Sequence, residues 1–205
     1  MTQWRAVVPI KLGADTKSRL AGLLSPDERC ALGERMARHV LDALEASGRF
    51  DQITILSPDR PIWWTGDWAL DRGRGLNAEL TAWRAEQVTG PVLIIHADLP
   101  LLMTEEVAVF LVTTKSSGIA LATDRAGTGS NALAIADGRD FAFRFGTDSR
   151  ARHVAQARKM PVLASTGLAA DLDTPDDAIF VEARGFALRS SCRWEGPRKG
   201  YAVHA

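Results

Sequence analysis

Cysteine is nearly absent from this chain: Cys30 and Cys192 are the only two in 205 residues. With no Cys-x-x-Cys pair and no His–Cys clustering, a zinc site or a disulfide framework is not expected. Cys30 lies in a helical pattern and reads as a small core residue. An excess of charge of one sign is also missing, because 25 Lys and Arg face 25 Asp and Glu. No global field therefore advertises nucleic acid or an anionic membrane as a partner. No apolar run reaches the length that spans a bilayer, and the N-terminal MTQWRAVVPIK enters a strand-like run without an h-region and cleavage site. A cytoplasmic protein with no nucleic-acid and no membrane partner is expected. Patterned histidine is missing too: His39, His153 and His204 have no patterned partner, and His96 reads as a packed residue rather than a ligand. No Ser-His-Asp or Cys-His order points to a covalent nucleophile.

What is present is most telling in Pro91–Pro100, PVLIIHADLP. A run of Val, Leu and Ile suited to a strand buried on both faces ends abruptly in Asp98, where ligands of open α/β sheets collect. A second acidic group, Asp171 and Asp173 in AADLDTPDD, follows far downstream. Asp-x-Asp at a strand end points two carboxylates the same way, and three converging carboxylates repel one another unless a cation sits among them. One of them is explained by a helix cap alone. The set of three suits Mg²⁺, which prefers oxygen ligands.

The length suits one domain, read as 1–189 with a C-terminal extension, 190–205, that loses periodicity. Strand-like segments are Trp4–Ile10, Gln52–Leu56, Val92–His96, Gly118–Ala122, Ala132–Ala136 and Pro161–Leu163, with helical candidates between them. This is the βαβ order of a mostly parallel sheet covered by helices on both faces. Ser25-Pro26-Asp27-Glu28 is a helix start, followed by Met36, Val40, Leu41 and Leu44 at helical spacing. Thr104-Glu105-Glu106 and Thr174-Pro175-Asp176-Asp177 open further helices, so both acidic groups lie at strand-to-helix junctions.

Three loops add polar chemistry. After the first strand come Lys11, Lys17 and Arg19, placed to meet a polyphosphate or to form an ordinary solvated loop. Gly73 and Gly75 precede Asn77 and a helix over 78–87; the glycines admit close approach to a flat base, and Asn77 reads as a base contact or a helix cap. The segments 124–131 and 145–149, the latter leading into a helix over 150–159, make a phosphate seat or plain turns. Trp63, Trp64 and Trp68 in IWWTGDW form an aromatic patch, a core anchor or, favoured, the contact of a possible homodimer.

The ordered set VPIK…DTKSRL, GRGLNAEL, HADLPLL, DRAGTGSNALAI, FRFGTDSRARHVAQA and ADLDTPDD, from Val7 to Asp177, resembles the CofC/FbiD guanylyltransferases of coenzyme F-420 biosynthesis. The resemblance implies a single-domain Rossmann-like nucleotidyltransferase fold, similar to the molybdenum-cofactor guanylyltransferases and nucleotide-diphospho-sugar transferases. It implies GMP transfer from GTP to the phosphate of 2-phospho-L-lactate, phosphoenolpyruvate or 3-phospho-D-glycerate, release of pyrophosphate, and hand-off of the product to a downstream F-420 transferase. It assigns Asp98, Asp171 and Asp173 to Mg²⁺; Thr128, Gly146 and Ser149 to the acid's phosphate, largely through backbone N–H; and Lys11, Lys17 and Arg19 to the GTP phosphates. The Gly73, Gly75 and Asn77 loop would lie near the nucleoside. Thr147-Asp148 and the IWWTGDW segment depart from the family's pattern. Two other readings are a nucleotidyltransferase for molybdopterin or a sugar phosphate, with a larger acceptor pocket, and a non-catalytic nucleotide or phosphometabolite sensor on the same fold.

Overall fold

The computed structural model describes residues 3–11, 16–87, 90–157 and 159–189. Among these residues seven strands, β1 (Trp4–Pro9), β2 (Phe50–Ser57), β3 (Asp67–Leu70), β4 (Val92–Ile95), β5 (Ile119–Thr123), β6 (Ser130–Ile135) and β7 (Val162–Leu163), form one sheet in the order β3-β2-β1-β4-β6-β5-β7. β6 runs antiparallel to both neighbours, and the other pairings are parallel. The helices are α1 (Pro26–Ala46), α2 (Leu76–Glu86), α3 (Thr104–Ser117), α4 (Ser149–Val154), α5 (Thr166–Ala169) and α6 (Pro175–Glu182).

Alternation along the strands explains the layers. Leu93 and Ile95 of β4 face one core with Val40 and Leu41 of α1 and Val107 and Phe110 of α3. Val92 and Ile94 face a second core with Leu80 and Trp83 of α2. Both parities of β4 are therefore apolar, as a doubly covered strand requires. A third cluster packs Leu32 and Met36 of α1 on Leu172, Ala178 and Val181, which docks the second acidic segment against the first helix.

The helix starts follow their local chemistry. Ser25 Oγ accepts from Glu28 N at 3.3 Å and Glu28 Oε2 accepts from Ser25 N at 2.8 Å, with Pro26 in the first turn. Such a cap contributes about 1 kcal/mol. Thr174 and Asp177 repeat the arrangement at α6.

Three expectations need correction. Asp171 and Asp173 lie between α5 and α6 rather than at the end of a strand. The helix foreseen over 150–159 ends at Val154. β3 falls in the segment whose composition suggests an aromatic loop. Its tryptophans serve this crossover: Trp63 lies under the Arg38 guanidinium at 4.3 Å, Trp64 Nε1 donates to Asp67 O at 2.7 Å, and Trp68 Nε1 donates to Ser57 Oγ at 3.1 Å. All three rings pack, partly buried, against the first core. The extension from Ser190, with Cys192 and His204, lies outside the described residues. Among the described residues no helix is long and apolar enough to cross a membrane.

Candidate functional site

Three distant segments meet at the carboxyl end of β4. Lys17 holds a left-handed backbone, φ 53° and ψ 43°, at the start of a 3₁₀ turn over Ser18–Leu20. That conformation is uncommon for a residue with a Cβ. Its Nζ donates to Asp98 Oδ2 at 2.6 Å and to Asp173 Oδ1 at 2.5 Å. The Lys17 side chain is only 9% exposed, against 43% for Asp173. Burial disfavours the ammonium, but Asp98 and Asp173 outweigh it and hold the Lys17 pKa above its ordinary value. Burial likewise opposes ionisation of Asp98, yet Lys17 prevails and the carboxyl is held below its usual range.

A main-chain bond, Leu172 N to Asp98 O at 3.0 Å, joins the two acidic segments. Asp171 is turned toward Asn131, whose Nδ2 donates to Asp171 Oδ1 and to Leu168 O, each at 3.1 Å. Burial, then the charge of Asp98, pushes the Asp171 carboxyl up to about 6. The expected cage is thus drawn differently: an ammonium stands between Asp98 and Asp173, and Asp171 points to an amide. Among the described residues no group of three or more His, Cys, Asp or Glu side chains is placed to hold a metal ion. The donor chemistry nevertheless fits a hard cation. Among the described residues Asp98 Oδ1 is buried without a hydrogen-bond partner, and Asp171, raised first by burial and then by the charge of Asp98, stands close enough to feel that carboxylate.

Beside this cluster opens a cavity of about 740 Å³, with Lys11 and Lys17 on one side, Gly73 and Gly75 on another, and His96 and Asp98 toward the sheet. This volume is in the range of small-ligand sites. Gly73 and Gly75 have φ of 78° and 91°, in the region that favours glycine. The loop between β3 and α2 is organised by Glu79, which sequence reasoning missed. Its buried carboxylate accepts from the Arg72 and Arg74 main-chain N–H groups at 3.0 Å each and pairs with the Arg74 guanidinium, Nη2 to Oε2 2.7 Å. The Arg74 hydrogen bonds hold Glu79 down to about 2. Arg19 is exposed and does not line this cavity.

Asn77 is neither a helix cap nor free for a base edge. Gly75 caps α2, and both ends of the Asn77 amide are bonded to Phe145: Nδ2 donates to Phe145 O at 3.1 Å, and Oδ1 accepts from Phe145 N at 2.8 Å. Thr128, Gly146 and Ser149 are brought together, since Arg150 N donates to Thr128 O at 3.1 Å. Their main chain is less free than a three-amide phosphate seat demands. Thr128 N donates to Asp124 Oδ1 at 2.8 Å and Ser149 N to Gly146 O at 3.1 Å, so two of those amides already have acceptors. Asp148, φ 51°, occupies the exposed N-cap position of α4 without a capping side-chain bond among the described residues.

His153, also missed as a functional residue, underpins this turn. It is fully buried; Nε2 accepts from Arg144 N at 2.9 Å, and Nδ1 pairs with Ser130 Oγ at 2.9 Å. Because Nε2 accepts, the ring is neutral with its proton on Nδ1. Burial, then His96, lowers its pKa to about 4. Nothing in the spacing of the sequence signals this histidine, because its partners come from β6 and from the loop before α4.

The seven-stranded mixed sheet of the described residues is a fold shared with proteins described as nucleotide-diphospho-sugar transferases. The chain is similar to a putative member from Desulfovibrio desulfuricans G20 with a TM-score of 0.58 at 17% identity, covering 85% of this chain and 84% of that one. Residues 4–185 match the family described as "Guanylyl transferase CofC like", and the chain belongs to it as a nucleotidyltransferase. It is 40% identical over 187 residues to the phosphoenolpyruvate guanylyltransferase of Sphaerobacter thermophilus, covering 84% of this chain and 89% of that protein. It is 35% identical over 198 residues to the 3-phospho-D-glycerate guanylyltransferase of Phenylobacterium zucineum, covering 88% and 89%.

Proposed function

We propose that this protein transfers the guanylyl group of GTP to the phosphate of a small three-carbon phospho-acid, with release of pyrophosphate, in coenzyme F-420 biosynthesis. Phosphoenolpyruvate is the first acceptor to test, because the Sphaerobacter relative that carries that name is 40% identical, while 3-phospho-D-glycerate and 2-phospho-L-lactate are its rivals. The observation that carries the reading is the Lys17-bridged pair of Asp98 and Asp173 beside a cavity walled by Lys11, Gly73 and Gly75.

The acceptor phosphate is itself an oxyanion nucleophile. One of its oxygens attacks the α-phosphorus, the bond from that phosphorus to the bridging oxygen breaks, and the electron pair leaves with pyrophosphate. No side chain has to remove a proton, which suits a site whose two well-placed histidines are a packed ring and a neutral hydrogen-bond anchor. The work of the protein is to align two anions that repel each other. Lys11 and Lys17 meet negative charge on the cavity side, while the glycine loop admits the flat nucleoside. Asp98 and Asp173, with Asp171 behind them, are the residues that would hold Mg²⁺, which when bound supplies neutralisation of phosphate charge. Thr128, Gly146 and Ser149 would receive the acid, and the guanylylated product would pass to a downstream transferase in the cytoplasm.

The test is pyrophosphate release by the purified protein with GTP and Mg²⁺ against each of the three acids, with mass detection of the product. ATP in place of GTP should be a poorer donor. Absence of turnover with every acid would overturn the reading, and a preference for ATP would overturn its guanylyl part alone.

A further inference from the structure

The amide of Asn77 spans the two halves of the proposed site. It leaves the first turn of α2, directly after the Gly73–Gly75 loop that walls the cavity, and it satisfies both main-chain groups of Phe145, at 3.1 Å and 2.8 Å. A side-chain amide here acts as a peptide group does in strand pairing. Phe145 immediately precedes Gly146. Its own ring, 5% exposed, lies 5.3 Å from the ring of His96 and 4.9 Å from that of His153. His153 in turn accepts from Arg144 N. The two residues that deliver the chain into the Gly146–Ser149 turn are therefore held by α2, by the end of β4 and by α4.

We infer that Asn77 is a positioning residue: it sets the acceptor turn relative to the nucleotide cavity and thereby governs binding of the phospho-acid rather than of the nucleotide. The inference rests on the proposed function, which places the acid at Thr128, Gly146 and Ser149. The selectivity follows from what Asn77 does and does not hold. Without its amide, Phe145 N and Phe145 O lose their partner from α2, and the turn behind them loses its register against that helix. The cavity wall keeps its own support, because Glu79 holds the Arg72 and Arg74 amides whatever stands at position 77. Displacing a seat by a fraction of an ångström is enough to weaken alignment of the acceptor.

The experiment uses Asn77→Ala and Asn77→Asp in the full chain. Asp keeps the shape and the acceptor for Phe145 N but sets a carboxylate oxygen against Phe145 O. Steady-state KM is measured for whichever acid the wild type uses at saturating GTP, and the GTP Kd by calorimetry on the same preparations. The acid KM should rise about ten-fold, the effect of losing two hydrogen bonds partly replaced by water, with the GTP Kd within about two-fold of wild type. Gly146→Val serves as the control on the acceptor assignment. An unchanged acid KM in the Asn77 variants while Gly146→Val still raises it would overturn the positioning role alone. If Gly146→Val weakens GTP and leaves the acid KM unmoved, the acceptor assignment falls and the inference with it. Equal losses for both substrates, or failure of both Asn77 variants to fold, would make Asn77 a determinant of general stability and also overturn the positioning role. No turnover of any acid by the wild type would remove the proposed function and this inference together.

Discussion

At the carboxyl end of β4 two carboxylates from distant segments are gathered by one ammonium, whereas the turn before α4 is fixed by an amide and an imidazole that carry no charge. The two regions belong to one proposed site but obey different physics. Charge gathers groups at modest geometric precision and responds to any ion that arrives. Neutral hydrogen bonds specify direction and are indifferent to ionic strength, at the cost of contributing little attraction for an anion. Under the proposed function the Lys17 side would supply binding power and the Phe145 side alignment.

The sharpest way to break it is Asp98→Asn, which keeps the shape and removes the charge. Turnover should fall on the order of a thousand-fold, with the melting temperature near that of the wild type because Lys17 retains Asp173. Turnover like that of the wild type would remove Asp98 from the chemistry.

Next in size is His153→Ala on the neutral side, which deletes a buried ring and two hydrogen bonds and should cost about 3 kcal/mol in urea unfolding. The pH dependence follows from its pKa near 4, below the usual 6.5. Between those values the unfolded chain takes up the proton and the folded chain does not. The stabilising contribution is therefore complete above pH 6.5 and declines as pH falls toward 4. The Ala variant should lack that decline.

Asp171 has the opposite sign. Its carboxyl, raised to about 6 from 3.8, makes the folded state bind the proton more readily, so its unfavourable contribution at neutral pH is relieved as pH falls from about 6 toward 3.8. In metal-free buffer Asp171→Asn should stabilise the fold at pH 7 by about 1–2 kcal/mol and flatten this dependence. The same variant should lose activity. A variant that is destabilised and still active would show that the charge at this position is structural.

The smallest effects test the turn. A Cβ on Gly146 would meet no atom of the described residues within 4 Å, but its φ of 115° is one that side-chain-bearing residues rarely adopt. Gly146→Val should therefore raise the acid KM more than about ten-fold through backbone strain of about 1–3 kcal/mol. Ser149→Ala, whose N–H bond to Gly146 O survives, should change it less than about three-fold. Equal effects would mean that the Ser149 hydroxyl touches the substrate.

What was legible in the sequence was local. The Ser25 and Thr174 caps announce α1 and α6 because their partners sit three residues away, and the break from Ile95 to Asp98 announces a strand end with a site beyond it. Partner choice was not legible. Lys17 meets Asp98 and Asp173 across 81 and 156 positions, and no spacing rule selects those carboxylates over a phosphate. Asn77 meets Phe145 across 68 positions for the same reason. The direction of β6 was also hidden, because an apolar strand buried on both faces reads alike whether it runs parallel or antiparallel. Tryptophan masked β3: a short edge strand flanked by aromatic rings and Gly66 has the composition of a loop.

The bond from Leu172 N to Asp98 O has a further use. Both of its atoms belong to the main chain, so every acidic side chain around it can be exchanged without removing it. The Leu172 amide proton consequently reports whether the two acidic segments are docked, independently of what occupies the space between them. Its exchange with deuterium should be slow in the wild type and nearly as slow in Asp98→Asn, and it should quicken only when the segments part. One amide could thus time the opening of the whole centre, separating variants that have lost their chemistry from those that have lost their assembly.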